Sequence, residues 1–456
     1  AAGLNASEAR LDALMAFETR LAEATKPRAE MRDPNANYNP MSPAELMAAA
    51  PGFDWQSYLD SLTEREQGRR GVARLIVGQP AFARRLAELA ANTPVDTWRN
   101  YLALRLLDAS ANRLPKAFAQ AHFDYRGATI SGLKAPPARA EEVILAIGGR
   151  TGREPLGMAL GELYVARAFS PEAQARALQL VADVKAAMQQ RIEKLSWMSA
   201  PTKQRALEKL AAMAPKIGAP EKFPTYQGLT LRPDDYAGNL LRAARWDSAR
   251  QMADLDRPVD RTRWSMAPHI VNASAGGLNE ITFPAGILQP PFFDAKADDA
   301  VNYGGIGMVI GHEITHHFDD SGRNFDAIGT LTDWWTEADA AAYKQRAERV
   351  VALYGGYVPV PGTPINGRLT LGENISDMSG LPIAFDALQA ALKRSGKTDK
   401  VEGYTPEQRF FLSNALVWRV KFRTEALINQ LRTDPHSPAK YRVLGPMSNS
   451  PDFARA

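Results

Sequence analysis

At 456 residues, 45% apolar and 23% charged, the chain is too long for one ordinary core and reads as a two-lobed soluble protein rather than a disordered one. Its 55 basic and 51 acidic residues leave a net charge of +4 with no Lys/Arg run, which argues against nucleic-acid binding, and no stretch holds the ~20 apolar residues of a membrane span. Cysteine is absent, so thiol catalysis, disulfides and cysteine zinc knuckles are excluded, and histidines and carboxylates remain as metal ligands.

The opening AAGLNASEARLDALMAFETR places acids and arginines where a signal peptide has its apolar core, so any signal or anchor is expected upstream of Ala1. From there to about Arg250 the 3.6-residue apolar spacing predicts helices: one opened by Ser7-Glu8, a short one in SPAELMAAAP, then PAFARRLAELAAN, EPLGMALGELYVARAF and PEAQARALQLVADVKAAMQQRIEKLSWM. DLDRPVDRTR, residues 254–263, breaks the pattern and reads as a linker. A mostly helical lobe at 1–253 and a second lobe at 254–456 are therefore expected. After the linker, HIVNAS and NEITFPAG alternate and predict two strands around Gly276-Gly277. Helices are predicted again over 311–320, 336–354, 372–392 and 406–431, so the fold class is mainly α with a small β component.

The chemistry concentrates in GHEITHHFDD, Gly311 to Asp320. On a helix, His312 and His316 share a face and can aim at one ion, with Glu313 turned about 100° aside as an acid/base candidate. Two imidazoles leave zinc under-ligated, since a catalytic site takes three protein ligands and one open position. LTLGENISDMSGLPIAFDALQAAL offers Glu373 as the third ligand. Asp377, one turn later on the same face, can hold the second nitrogen of a ligating imidazole, and Asp319 is a second candidate for that task. Taken alone, these acids would read as solvated charges at a helix start. His317 points away from its neighbour and is given a packing or surface role, while His122 and His269 stand in no motif. His436, in the proline-flanked DPHSPAKYRV, lies near Arg442, where the two can aim donors at a substrate carbonyl.

Taken together, LPKAF, WMSAPTKQRALEKL, PVDRTRW, VNA, NEITFPAGILQPPFFD, YGGIGMVIGHEITHHFDDSGR, DWWT, GENISD and DPHSPAKYRVLGPMSNSPDF resemble the neprilysin and endothelin-converting-enzyme family of zinc metallopeptidases, M13. The resemblance runs almost end to end. It implies a thermolysin-like catalytic lobe covered by the helical lobe, and one Zn2+ per chain held by His312, His316 and Glu373. It implies Glu313 as general base, with Asp377 and Asp319 orienting the imidazoles, His436 stabilising the oxyanion and Arg442 holding a substrate carbonyl. Asn272 and Ala273 would pair with the substrate backbone, and Phe292, Met308, Val309 and Trp418 would line the pocket for the residue after the scissile bond. The implied activity is hydrolysis of short peptides on the amino side of hydrophobic residues; the alternative is a non-catalytic zinc-containing peptide-binding protein or an inactive fragment.

No G-x-S-x-G is present, and the glycines of YGGIGMVIG lack dinucleotide-loop spacing. The composition and the resemblance imply a bacterial member in the periplasm or cell envelope, with the cytoplasm as the other option. The chain departs from the family pattern at Ser274 to Gly277, where aromatics usually follow VNA, and at His317, where glycine is common. It also lacks family segments at both ends, so a fragment, a processed form or a longer parent protein is expected.

Overall fold

The structure, a computed structural model, describes residues 7–63 and 72–456; the opening six residues lie outside that range. Helices dominate and the strands are few, giving the expected mainly α fold with a small β component. Packing divides the chain into two compact units, Ala1–Pro136 with Gln227–Val259, and Pro137–Tyr226 with Asp260–Ala456. This division differs from the single boundary expected at 253/254. Helical periodicity identifies helices but not their partners, and residues 137–226 pack with the C-terminal half.

In the first unit the helix Glu8–Glu23 begins where expected, but the Ser7 side chain makes no capping bond. Phe17, fully buried, meets Trp98 and Tyr101 edge-on. The helix Pro43–Ala49 is started by a reciprocal pair of bonds between Ser42 and Glu45. Leu46, Ala50, Trp55, Ala83 and Ala87 form a small core beside it.

In the second unit, α1 (Pro171–Lys194) buries Leu180, Val184, Met188 and Ile192, a stripe at four-residue spacing. Next, α2 (Ala200–Ala212) leads into a three-stranded sheet of β1 (Ala214–Gly218), β2 (Ser274–Gly276) and β3 (Glu280–Pro284). β3 is central, parallel to β1 with Ala214 opposite Glu280, and antiparallel to β2 with Ser274 opposite Thr282. An antiparallel pair is present as expected, but β2 shares only Ser274 with HIVNAS and runs on into Gly276, which was expected in the turn. β1 escaped prediction because APKIG is a five-residue run carrying a proline and no alternation.

Further on come α3 (Met308–His316), α4 (Glu337–Gly355), α5 (Leu371–Ser395), α6 (Pro406–Val417), α7 (Thr424–Thr433) and α8 (Ala439–Ser448). The helix expected over 406–431 is two helices. WRVKFR between them alternates apolar and basic residues and offers no helical stripe. α1, α3, α5 and α6 share one core with the sheet, built on Leu180, Phe283, Ile310, Ile314, Leu388 and Phe410. Among the described residues no helix is long and apolar enough to cross a membrane.

Candidate active site

The site depends on how closely α3 meets α5. A Cβ on Gly311 would lie 2.7 Å from the Gly380 carbonyl oxygen, and one on Gly380 would lie 2.7 Å from the His312 nitrogen, so the helices touch backbone to backbone. Substituting Gly311 by alanine must push them apart. We expect Gly311→Ala to cost about 1–3 kcal/mol of stability, as overpacking does, and to weaken metal binding in a chelator competition. Unchanged melting and unchanged metal affinity would show that the close approach is dispensable.

This approach brings the three predicted ligands together. His312 Nε2 lies 2.9 Å from His316 Nε2, and Glu373 Oε2 lies 3.2 and 3.4 Å from these two nitrogens. Ligand atoms about 2.0–2.1 Å from a tetrahedral zinc are about 3.3–3.4 Å apart, so the set has the right size. Its chemistry agrees. His312 Nδ1 faces Asp377 Oδ1 at 2.8 Å and His316 Nδ1 faces Asp319 Oδ2 at 2.8 Å, so each ring donates from Nδ1 and turns its Nε2 lone pair inward. Glu373 Oε2 is buried and receives no hydrogen bond. Three acceptors converging in a buried site call for a cation.

The local field points the same way. Burial and the proximity of His316 disfavour charge on His312, yet Asp377 and Glu373 outweigh them and raise its pKa. Burial also opposes charge on His316, but Glu373 and Asp319 carry it well above the usual value. Burial would raise Glu373, but His316, His312 and His436 hold it well below the usual carboxylate range. Surroundings that favour a proton on these rings equally favour a metal cation beside them.

Asp319 acts from outside the helix. α3 ends at His316 rather than continuing to Asp320, and the chain turns so that Asp319 Oδ1 accepts from the Ser321 and Gly322 amides while Oδ2 reaches back to His316. His317 is buried, and its Nε2–H donates to the Glu280 carbonyl at 3.1 Å. Burial, with help from Lys209, lowers its pKa to about 4, so it is a neutral packing residue.

Arg442 is buried and makes a two-pronged pair with Asp377, Nε to Oδ2 and Nη2 to Oδ1, both at 2.7 Å. Its guanidinium lies 4.1 Å from the centre of the Trp418 ring. Two of its five N–H donors are thus directed at Asp377, a partnership the sequence reading did not foresee. His436 is partly exposed; its Nε2 lies 3.2 Å from Glu373 Oε2 and its Nδ1 lies 2.7 Å from Asp434 Oδ1.

Asp434 was missed, although its place two residues before His436 was the available signal. Asn374 and Ser437 were missed too. Ser437 Oγ donates to Asn374 Oδ1 at 2.6 Å, which ties the His436 loop to the residue after Glu373.

Glu313, Asn272, Ala273, Phe292, Met308, Val309, Trp418, His436 and Arg442 line one cavity of about 710 Å³ with the three ligands and Asp319. Asp377 does not line it, being fully buried behind His312. His122 and His269 are not in the ligand set.

Profiles of peptidase family M13 match residues 1–220 and 274–456. The chain belongs to peptidase family M13. It is 35% identical to Neprilysin-2 of Drosophila melanogaster, covering 99% of this chain and 61% of that protein. It is 34% identical to endothelin-converting enzyme 1 of Mus musculus, covering 98% and 58%. A zinc metalloprotease of Mycobacterium tuberculosis, solved with an inhibitor, superposes with a TM-score of 0.91 at 38% identity over 98% of this chain and 67% of that one. The chain thus spans about three fifths of the length of the curated relatives it matches. Membership in M13 implies a bound metal, and His312, His316 and Glu373 are a set that fits one.

Proposed function

We propose that this M13 chain is a zinc-dependent endopeptidase or oligopeptidase for short peptides, with one Zn2+ held by His312, His316 and Glu373. The observation that carries the reading is the convergence of these three acceptors beside Glu313 in a cavity large enough for a peptide segment. Bound there, zinc supplies a Lewis acid that polarises the scissile carbonyl and eases deprotonation of water. Glu313, buried on the cavity wall, takes that proton and returns it to the leaving amine.

Asp377 and Asp319 hold the two imidazoles in the tautomer that turns Nε2 inward. His436, gripped at Nδ1 by Asp434, offers an Nε2–H to the developing oxyanion when its ring is protonated. Arg442, with Nε and Nη2 engaged by Asp377, has Nη1 left for a substrate carbonyl.

The sheet supports a reading of how substrate is held. β2 is an outer strand, and Asn272 and Ala273 lead into it along the cavity wall, where an extended peptide can add as a further strand. Phe292, Met308, Val309 and Trp418 form an apolar wall that suits a hydrophobic side chain after the cleaved bond. The test is a mixed peptide library with cuts mapped by mass spectrometry. We expect cleavage before hydrophobic residues, abolished by chelation and restored by zinc. Stoichiometric zinc with no cleavage of any peptide would leave the non-catalytic alternative standing.

A further inference from the structure

We propose that Lys209 is a positioning residue for the metal centre, holding Asp319, and through it the His316 ring, by cross-linking three main-chain carbonyls of the turn that follows α3. The inference rests on the metal-site reading above and extends it to a residue more than 100 positions earlier in the chain. Lys209 lies on α2 and is only 1% exposed. Its Nζ donates to His317 O at 2.7 Å, Gly322 O at 2.8 Å and Phe325 O at 2.6 Å, which uses all three N–H groups. It also lies 5.5 Å from the centre of the Phe318 ring and 5.9 Å from that of Trp334.

A buried ammonium is costly unless its site repays the lost water. Here it meets the His317 carbonyl at the C-terminal end of α3, where the helix dipole favours a cation, and the Gly322 and Phe325 carbonyls farther along the chain that follows. Burial lowers the Lys209 pKa to about 8, opposed by Asp319 and Asp326, so the charged form persists at neutral pH.

The cross-link leads to the metal ligand through a short series of contacts. Gly322 is gripped from both sides, its carbonyl by Lys209 and its amide by Asp319 Oδ1. The other oxygen of that carboxylate holds His316 Nδ1. Without the ammonium, the His317 carbonyl loses its partner, the Gly322 and Phe325 carbonyls keep only the Phe325 amide and the Trp334 indole N–H, and the tie across the turn that carries Asp319 is gone. Asp319 then loses the geometry that aims His316 Nε2 at the cation, since partners of this kind fix ring orientation.

The test compares Lys209→Met, Asp319→Ala and the double variant for zinc affinity by chelator competition, and for kcat and KM separately. We expect K209M to weaken zinc about 10-fold and D319A to weaken it about 10- to 100-fold, as loss of such partners usually does. The double variant should be no weaker than D319A, because Lys209 acts through Asp319, and kcat should fall with KM nearly unchanged. Asp339→Asn is the comparator. Asp339 accepts from Ser199 and Thr202 at the other end of α2, so D339N loosens the same helix without touching the turn and should leave zinc affinity at the wild-type value.

If K209M does not fold, Lys209→Gln, which keeps one donor group, takes its place and should show a smaller loss with the same non-additivity. Wild-type zinc affinity in a folded Lys209 variant, fully additive losses in the double variant, or an equal loss in D339N would overturn the proposal. So would failure of both Lys209 variants to fold while D339N folds, which would make Lys209 a folding residue. A wild-type protein that binds no zinc would instead overturn the metal-site reading.

Discussion

Replacing Glu313 by glutamine is expected to lower kcat for peptide hydrolysis by about 10²- to 10⁴-fold, the usual contribution of a positioned acid/base, while zinc stays bound. The expectation follows from position. Glu313 sits between the two histidine ligands on α3, yet its carboxylate is not one of the three converging acceptors. It lines the same cavity as Met308, Val309 and the metal set. Glutamine preserves the shape and one acceptor oxygen but cannot take a proton from water. Metal content by atomic absorption should therefore equal that of the wild type. A folded, zinc-loaded E313Q that cleaves at the wild-type rate would remove Glu313 from the chemistry, and loss of zinc would mean that it also supports the ligand set.

Much of this site was legible because its signals are local. H-E-x-x-H places two ligands four residues apart on a helix, and Glu373 and Asp377 repeat that spacing on α5, so both pairs survive translation into three dimensions. What was not legible is long-range. That α3 and α5 would meet at all depends on Gly311 and Gly380, two glycines among 33 that nothing local distinguishes. Arg442 looked like a group for substrate, but its strongest partner is Asp377, 65 residues away. Lys209 stood out by nothing in the sequence and is among the most deeply buried charges described. The packing of residues 137–226 with the C-terminal half is long-range in the same way. The four-residue stripe of α1 announces a buried face without naming α5 and the sheet as what covers it.

Asp377→Ala is expected to do two kinds of damage that a second substitution can separate. The carboxylate is fully buried and holds both Arg442 and His312 Nδ1. Removing it leaves a guanidinium buried without its counter-ion, and breaking such a pair from one side costs about 3–5 kcal/mol. It also frees the His312 ring, which should weaken zinc about 10- to 100-fold. Pairing Asp377→Ala with Arg442→Leu removes the stranded charge. Thermal melting without metal should then recover most of the lost stability, while zinc affinity stays low because His312 still has no partner.

The pH dependence has a fixed sign. Burial would raise the Asp377 pKa, but Arg442 and then His312 outweigh it and hold the group below its ordinary value. Its stabilisation is therefore present above the unfolded carboxylate value of about 4 and is lost as pH falls toward the folded-state value. The double variant should lack that part of the acid transition. If it recovers zinc affinity together with stability, Asp377 acts on the metal only through the packing of Arg442; if it recovers neither, the charge pair is not what Asp377 contributes.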